Sequence, residues 1–261
     1  MSISSSCYAK DSLCFHPEFN SYVSYPVLIG GHLSYLLVVF GLRHFMRGRL
    51  PFDPKLPMML YNIAQVGLSL LMAINLAPYL KYNLFNLSGG FDSKIEFWIF
   101  VHYATKFLDM FDTLFMVLRK KDEQISFLHV YHHLTIGLIW GLLLHNGIAN
   151  GTAFFGAWIN SSVHAIMYFH YLYTSFGLTN PFKKYITQIQ MIQFALCIMH
   201  AVLAVVLDNH DPQAVGGAAA VLPHDPLVSV HALLSEGQPQ AATSRSKRYI
   251  QKIQNNIDKI N

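Results

Sequence analysis

Five stretches of this chain are about twenty residues long, predominantly apolar and free of Asp, Glu, Lys and Arg. They cover Val23–Leu42, Met58–Leu80, Ser126–His145, Gly151–Tyr173 and Tyr185–Leu207. A helix needs ~20 apolar residues to cross the ~30 Å hydrocarbon core of a bilayer. A sixth stretch, Ile95–Leu118, also has this length but carries Lys106, Asp109 and Asp112. The sequence therefore predicts an all-α polytopic membrane protein with six transmembrane helices.

Composition supports this class. Hydrophobic residues make up 53% of the 261 residues and charged residues only 12%, whereas soluble domains carry about 25% charged residues. Mean hydropathy is +0.33. These values exclude a soluble globular enzyme, a disordered chain and a disulfide scaffold. The net charge of +4 comes without a basic cluster among aromatic residues, so no nucleic-acid partner is expected.

The basic residues predict how the chain is threaded through the membrane. They concentrate in the first, third and fifth loops, at Arg43, Arg47, Arg49, Lys55, Arg119, Lys120, Lys121, Lys183 and Lys184. By the positive-inside rule these loops are cytosolic and the N-terminus lies on the opposite side. We expect a polar segment at 1–22, a membrane domain at 23–207 and an atypical basic tail at 208–261, largely irregular.

Glycosylation tests this topology. An acceptor in the second loop, where Asn86-Leu87-Ser88 already fits the N-x-S pattern, is expected to carry a glycan. An acceptor introduced near Asp122 is expected to remain unmodified. The measurement is the gel mobility of each variant before and after endoglycosidase treatment. A glycan near Asp122 would invert the topology.

The most distinctive polar feature is the segment His129-Val130-Tyr131-His132-His133. Positions i, i+3 and i+4 of a helix share one face, so three imidazoles are expected to form one patch. Polar groups inside a membrane normally face a bundle interior or a wet cavity. Because imidazole is also a common metal ligand, the residues alone leave open a metal site as well as a catalytic one.

A polar stripe is expected on the fifth span. Asn160, His164, Tyr168 and Tyr171 follow the spacing i, i+4, i+8 and i+11, which places them on one helical face. For the aromatic residues alone, helix packing is an adequate explanation. Together with Asn160 and His164, the stripe indicates the wall of a polar cavity.

Charged residues inside the third span form another candidate site. Lys106, Asp109 and Thr113 share a helical face, so an intramembrane ion pair is expected. Asp112 points in another direction, and we expect it to cap or bond to a different helix.

Two further groups are candidates for substrate binding. Gln190 and Gln193 lie in the sixth span, where buried amides often bond across helices. Arg119 and Lys120 follow the third span at its cytosolic end, where they either set topology or bind phosphate.

Four segments together resemble a known family. KFLDMFDT at Lys106–Thr113 looks like the motif KxxExxDT, and HVYHH at His129–His133 is an HxxHH box. NSSVHAIMYFHYLY at Asn160–Tyr173 resembles NxxxHxxMYxYYxL, and TQIQMIQF at Thr187–Phe194 resembles TxxQxxQF. The chain is thereby identified as a member of the ELO family of fatty acid elongases. It departs from the family in having Asp109 in place of Glu, which shortens the side chain, and six predicted spans where the family has seven.

The resemblance implies a reaction and its setting. Family members condense an acyl-CoA with malonyl-CoA to a 3-oxoacyl-CoA in the endoplasmic reticulum membrane, with the alkyl chain in a tunnel between the helices. No metal or other cofactor is implied, because decarboxylation drives the step. The implied partners are acyl-CoA, malonyl-CoA, membrane lipid, and the reductase and dehydratase of the elongation cycle. Gln124–Leu128 resembles the branch that acts on polyunsaturated chains.

The resemblance also implies roles for individual residues. His132 would carry the acyl group as an acyl-imidazole, with His164 as its partner on the facing helix. His129 and His133 would donate hydrogen bonds to the thioester or enolate oxygen. The expected substrate-binding residues are Lys106, Asp109, Asp112, Asn160, Tyr168, Gln190, Gln193, Arg119 and Lys120. Soluble condensing enzymes use a cysteine instead, and Cys197 is the only cysteine in a predicted span.

Two other functions are compatible with the residues. One is a catalytically inactive or truncated elongase-like protein that acts as a scaffold or transporter. The other is a di-iron desaturase or hydroxylase, a class that resembles this chain in its HxxHH box but needs several such boxes. Only one HxxHH occurs here.

Overall fold

A computed structural model describes residues 13–82, 84–85, 92–147 and 152–207 of the chain. All regular secondary structure in these residues is helical: a 3₁₀ segment at Pro17–Val23, then α1 (Tyr25–Met46), α2 (Lys55–Tyr82), α3 (Ser93–Leu118), α4 (Phe127–His145), α5 (Ala153–Ser175) and α6 (Lys183–Leu207). The acceptor at Asn86 and the expected tail at 208–261 lie outside the described residues.

The six α-helices match the six spans expected from the sequence, with ends that differ by no more than a few residues. This confirms an all-α, multi-pass membrane protein. Four helices, α1, α2, α4 and α6, are long and apolar enough to cross a membrane by length and composition. The other two, α3 and α5, carry the charged and polar motifs in their interior.

Side-chain caps fix where α3 and α4 begin. Asp92 Oδ1 accepts the backbone N–H groups of Lys94 at 2.7 Å and Ile95 at 3.3 Å. Ser126 Oγ accepts the N–H of His129 at 3.0 Å. Such caps satisfy N–H groups that have no partner within the helix. Ser126 therefore fixes the start of α4 just before the histidine segment.

The bundle is organised around α3. This helix contacts α1, α2, α4 and α5, while α2 packs along α5 and α6 also packs against α5. Buried and exposed residues have the arrangement of a membrane protein: Gln65 and Thr113 are buried, whereas Leu37 and Ile74 face outward. Because α3 touches four neighbours, its polar side chains meet partners from several helices.

Two glycines of α4 allow α1 and α3 to approach closely. A Cβ atom at Gly141 would lie within 3 Å of Leu28 and Tyr103 side-chain atoms, and one at Gly137 would lie 2.7 Å from His32 Nε2. The residues are spaced as small-xxx-small, a pattern that brings membrane helices together. These contacts hold α4, and with it the histidine segment, against α3.

The N-terminal segment is fastened to the start of α3 by a carboxylate. Glu96 is buried, and its two oxygens accept backbone N–H groups from Cys14, Phe15 and His16 at 2.8–3.0 Å. The Tyr103 hydroxyl donates to the carbonyl of Tyr22 at 3.0 Å. A charged residue near a helix end thus anchors a segment that precedes the first span.

Gly141→Val is expected to lower the thermal aggregation midpoint in detergent. The added side chain has to displace Leu28 or Tyr103, and overpacking of this kind costs about 1–3 kcal/mol. Gly67→Val on α2 is the matched control, because a Cβ atom there meets nothing within 4 Å. Equal midpoints for the two variants would contradict close packing at Gly141.

Candidate active site

A buried ion pair lies at the centre of the bundle. Lys106 and Asp109 are each only 3% exposed, and Lys106 Nζ lies 2.9 Å from Asp109 Oδ2. The same ammonium donates to Asn160 Oδ1 on α5 at 3.0 Å. Charges in an apolar interior are tolerated only when paired and hydrogen-bonded. The structure therefore confirms the ion pair expected from the sequence and adds Asn160 as its neighbour.

The Asp109 carboxylate is held from three helices. Its Oδ2 faces Lys106 and lies 3.8 Å from His164 Nδ1, which is beyond hydrogen-bond range. Its Oδ1 accepts Gln65 Nε2 of α2 at 2.6 Å and lies 3.1 Å from the Tyr168 hydroxyl of α5. One oxygen therefore faces the ammonium and the other faces α2.

Tyr168 links this carboxylate to a second one. Its hydroxyl lies 2.7 Å from Asp112 Oδ2 and 3.1 Å from the Tyr61 hydroxyl. A phenol has one proton to donate, and the shorter distance favours Asp112 as the acceptor. The expectation that Asp112 bonds to another helix is confirmed, and the partner is on α5.

The three histidines of α4 are clustered as the spacing predicted. The ring centroids of His129 and His133 are 4.4 Å apart, and those of His132 and His133 are 5.7 Å apart. His129 Nε2 lies 3.0 Å from Thr113 Oγ1 of α3. His133 Nδ1 is buried and has no hydrogen-bond partner within the part of the chain that the structure describes.

A cavity of about 860 Å³ opens at the end of the bundle where the basic loops lie. Tyr61, Asp112 and Gln190 line its inner part, and Lys55, Arg119 and Lys183 line its mouth. Its volume is in the range typical of small-molecule sites. Since Asp112 and Tyr61 also bond to Tyr168, the cavity wall reaches the buried polar network.

The two basic residues after α3 are directed to different places. Arg119 lines the cavity and pairs with Asp53 at 3.1 Å. Lys120 has a φ of 54°, and the N–H of Lys121 returns to the carbonyl of Met116 at 2.9 Å, which is a Schellman ending. This turn directs Lys120 Nζ to the carbonyl of Arg47, 3.4 Å away. The sequence analysis grouped Arg119 and Lys120 as one candidate site, whereas in the structure only Arg119 of the two lines the cavity.

The amides of α6 also have separate positions. Gln190 lines the cavity, and its Nε2 lies 3.3 Å from Met167 Sδ. Gln193 is buried, with 5% of its surface exposed. Cys197 is a free, buried thiol one turn further along the same helix.

Sequence reasoning assigned no role to α2, yet Tyr61 and Gln65 belong to the network around Asp109. The signal was present in the sequence. Asn62, Gln65 and Ser69 are polar residues spaced three and four apart in a charge-free span, and all three are buried. The structure also buries His102, whose Nδ1 lies 3.3 Å from Ser161 Oγ.

No group of three or more His, Cys, Asp or Glu side chains in the described ranges has an arrangement that could hold a metal ion.

The fold and the site together define a polytopic helical membrane protein with a buried ion pair, a histidine cluster and a cavity that opens at the basic end. Comparison with known proteins gives the family. The model of the GNS1/SUR4 (ELO) family matches residues 20–234, so the chain belongs to that family.

Individual relatives agree with this assignment. The chain is 70% identical over 207 residues to fatty acid elongase 5 of Leishmania major, and the aligned residues make up 79% of this chain and 83% of that protein. It is 58% identical over 205 residues to fatty acid elongase 4 of Trypanosoma brucei brucei, covering 78% and 81%. With very long chain fatty acid elongase 5 of Mus musculus it shares 38% identity over 181 residues, covering 66% and 60%.

Proposed function

We propose that this protein is the condensing enzyme of fatty acid elongation. It joins an acyl-CoA to malonyl-CoA and takes up one proton, giving a 3-oxoacyl-CoA, CO₂ and free CoA. The observation that carries the proposal is the buried Lys106–Asp109 pair of α3, which lies beside His164 of α5. The same helix α3 also contacts the histidine cluster, through Thr113 and His129. Apolar side chains at these two positions would stabilise the protein at least as well, so stability alone does not account for the pair.

In the first half-reaction His132 is the nucleophile. One ring nitrogen attacks the thioester carbonyl, a C–N bond forms and the C–S bond breaks. The proton of the other ring nitrogen leaves and protonates the CoA thiolate. The product is an acyl-imidazole on His132 and free CoA.

In the second half-reaction malonyl-CoA loses CO₂ through cleavage of its C–C bond, which leaves an enolate. The enolate carbon attacks the acyl carbonyl, a C–C bond forms and the C–N bond to His132 breaks. The imidazole takes up one proton and returns to its starting state. We assign the exchange of that proton to His164 on α5.

Lys106 and His133 are suited to stabilise the negative oxygen in both steps. An ammonium has three N–H donors, of which Asp109 and Asn160 accept two. We assign the third to the thioester oxygen, together with the buried Nδ1 of His133 when that nitrogen carries the proton. Donors fixed in a water-poor site stabilise developing charge far better than donors in water.

We assign the cavity to the CoA group of the substrates. Lys55, Arg119 and Lys183 at its mouth are suited to bind phosphates, and its inner end reaches Tyr61 and Asp112. A CoA bound in this way would direct its thioester inward, towards the polar network. The alkyl chain would continue between the helices.

The setting follows from the same proposal. We assign the protein to the endoplasmic reticulum membrane, with acyl-CoA and malonyl-CoA as its substrates and no metal or other cofactor. The reductase and dehydratase that complete an elongation cycle would be its partners. Very long or polyunsaturated chains are the proposed substrate class, in line with the resemblance at Gln124–Leu128.

His132→Ala is expected to lower condensation by about 10⁴-fold or more, because it removes the nucleophile, while insertion into the membrane is unchanged. The measurement is 3-oxoacyl-CoA formed from labelled malonyl-CoA by purified protein. His145→Ala, which alters the last histidine of α4 outside the cluster, is the control and is expected to retain activity. More than a tenth of wild-type turnover in His132→Ala would rule out the covalent role.

Lys183→Ala is expected to raise KM for malonyl-CoA severalfold with little change in kcat, and the effect is expected to shrink at high salt. Lys184→Ala is the matched control, because Lys183 lines the cavity while Lys184 lies over the Tyr185 ring, 4.9 Å from its centroid. Malonyl-pantetheine lacks the nucleotide phosphates. A Lys183→Ala effect of the same size on that substrate would contradict phosphate binding at the mouth.

A further inference from the structure

The sequence analysis expected no site residue on α2. Among the described residues, however, the Gln65 side chain of this helix makes a hydrogen bond directly to the buried ion pair. It is 1% exposed. Its Nε2 lies 2.6 Å from Asp109 Oδ1 and 3.1 Å from the Tyr61 hydroxyl. A buried amide is costly unless its hydrogen-bonding capacity is used, and both N–H bonds of this amide have an acceptor.

The contact controls how the Asp109 carboxylate is oriented. The two donors near Oδ1 are the Gln65 amide and the Tyr168 hydroxyl. The single proton of Tyr168 has a closer acceptor in Asp112. Gln65 is therefore the donor that fixes Oδ1, and by fixing Oδ1 it holds Oδ2 towards Lys106.

The length of Asp109 gives this contact its significance. The motif that KFLDMFDT resembles has Glu at this position, and Asp is shorter by one methylene, a C–C bond of about 1.5 Å. A shorter side chain keeps the carboxylate nearer to its own helix and leaves space towards α2. Gln65 occupies that space and makes a close hydrogen bond, with its nitrogen 2.6 Å from Asp109 Oδ1.

We propose that Gln65 is a positioning residue matched to Asp109. The long amide on α2 compensates for the short carboxylate on α3 and holds it within hydrogen-bonding distance of Lys106. Both N–H groups of Gln65 are taken up by Asp109 and Tyr61, so it acts through Asp109 and not on the substrate. The proposal deepens the proposed function, because it concerns the geometry of the same site.

A double-mutant cycle tests the match. Gln65→Ala removes the donor, and Asp109→Glu pushes the carboxylate into the amide. Each is expected to lower kcat about tenfold, the factor that one lost or displaced buried hydrogen bond to a charged group typically costs. KM for malonyl-CoA is expected to change less than threefold. The double variant Gln65→Ala/Asp109→Glu is expected to recover to within about threefold of wild-type kcat, since the longer carboxylate then has the space it needs.

Controls separate positioning from folding. Asn75→Ala removes an exposed amide from the same helix, one that bonds only to the carbonyl of Leu71 among described residues, and is expected to leave kcat unchanged. All rates are expressed per folded protein, and thermal midpoints are measured for the whole cycle. A structural role alone would lower the midpoint without restoring kcat in the double variant.

Two outcomes would overturn the proposal: full turnover in Gln65→Ala, or a double variant as slow as the product of the two single effects. An inactive wild-type protein would instead overturn the proposed function. In that case the thermal midpoints show whether Gln65 and Asp109 are matched, because a matched pair recovers stability in the double variant and an unmatched pair does not.

Discussion

The packing of the helices around α3 depends on one buried ion pair, whose charged groups need hydrogen-bond partners from neighbouring helices. Lys106 and Asp109 place two charges in an apolar interior, where an unpaired charge would be strongly destabilising. Intrahelical pairing at i and i+3 is insufficient, because a carboxylate and an ammonium together offer more hydrogen-bonding sites than they can satisfy in each other. Gln65 from α2 and Asn160 from α5 supply further partners. The pair therefore constrains how three helices are packed.

The same constraint joins the buried centre to the cavity. Tyr168 lies between Asp109 and Asp112, and Asp112 faces the cavity that opens among the basic loops. With the Tyr168 proton on Asp112, the hydrogen bonds that connect the cavity wall to the ion pair run from Tyr61 through the two N–H groups of Gln65 to Asp109.

Much of this arrangement could be predicted from the sequence, for reasons that differ between features. The bounds of all six helices were predictable because a membrane imposes a length of apolar chain on every crossing. The clustering of His129 and His133 was predictable because it depends only on helical periodicity within one segment. The roles of Lys120 and Gln65 were not. The first depends on one residue adopting a positive φ at a helix end, and the second on how α2 is rotated against α3.

The α2 helix shows most clearly what a single helix can and cannot reveal. Asn62, Gln65 and Ser69 mark its inward face, because polar residues at this spacing in a charge-free span have no other favourable environment. The spacing identifies the face but not the partner, since hydrocarbon and a neighbouring helix present the same apolar background. A partner becomes identifiable only where another span carries a group with unmet hydrogen-bonding capacity. Asp109 is such a group, and a short carboxylate that faces a long amide is a relationship between two spans that neither span contains by itself.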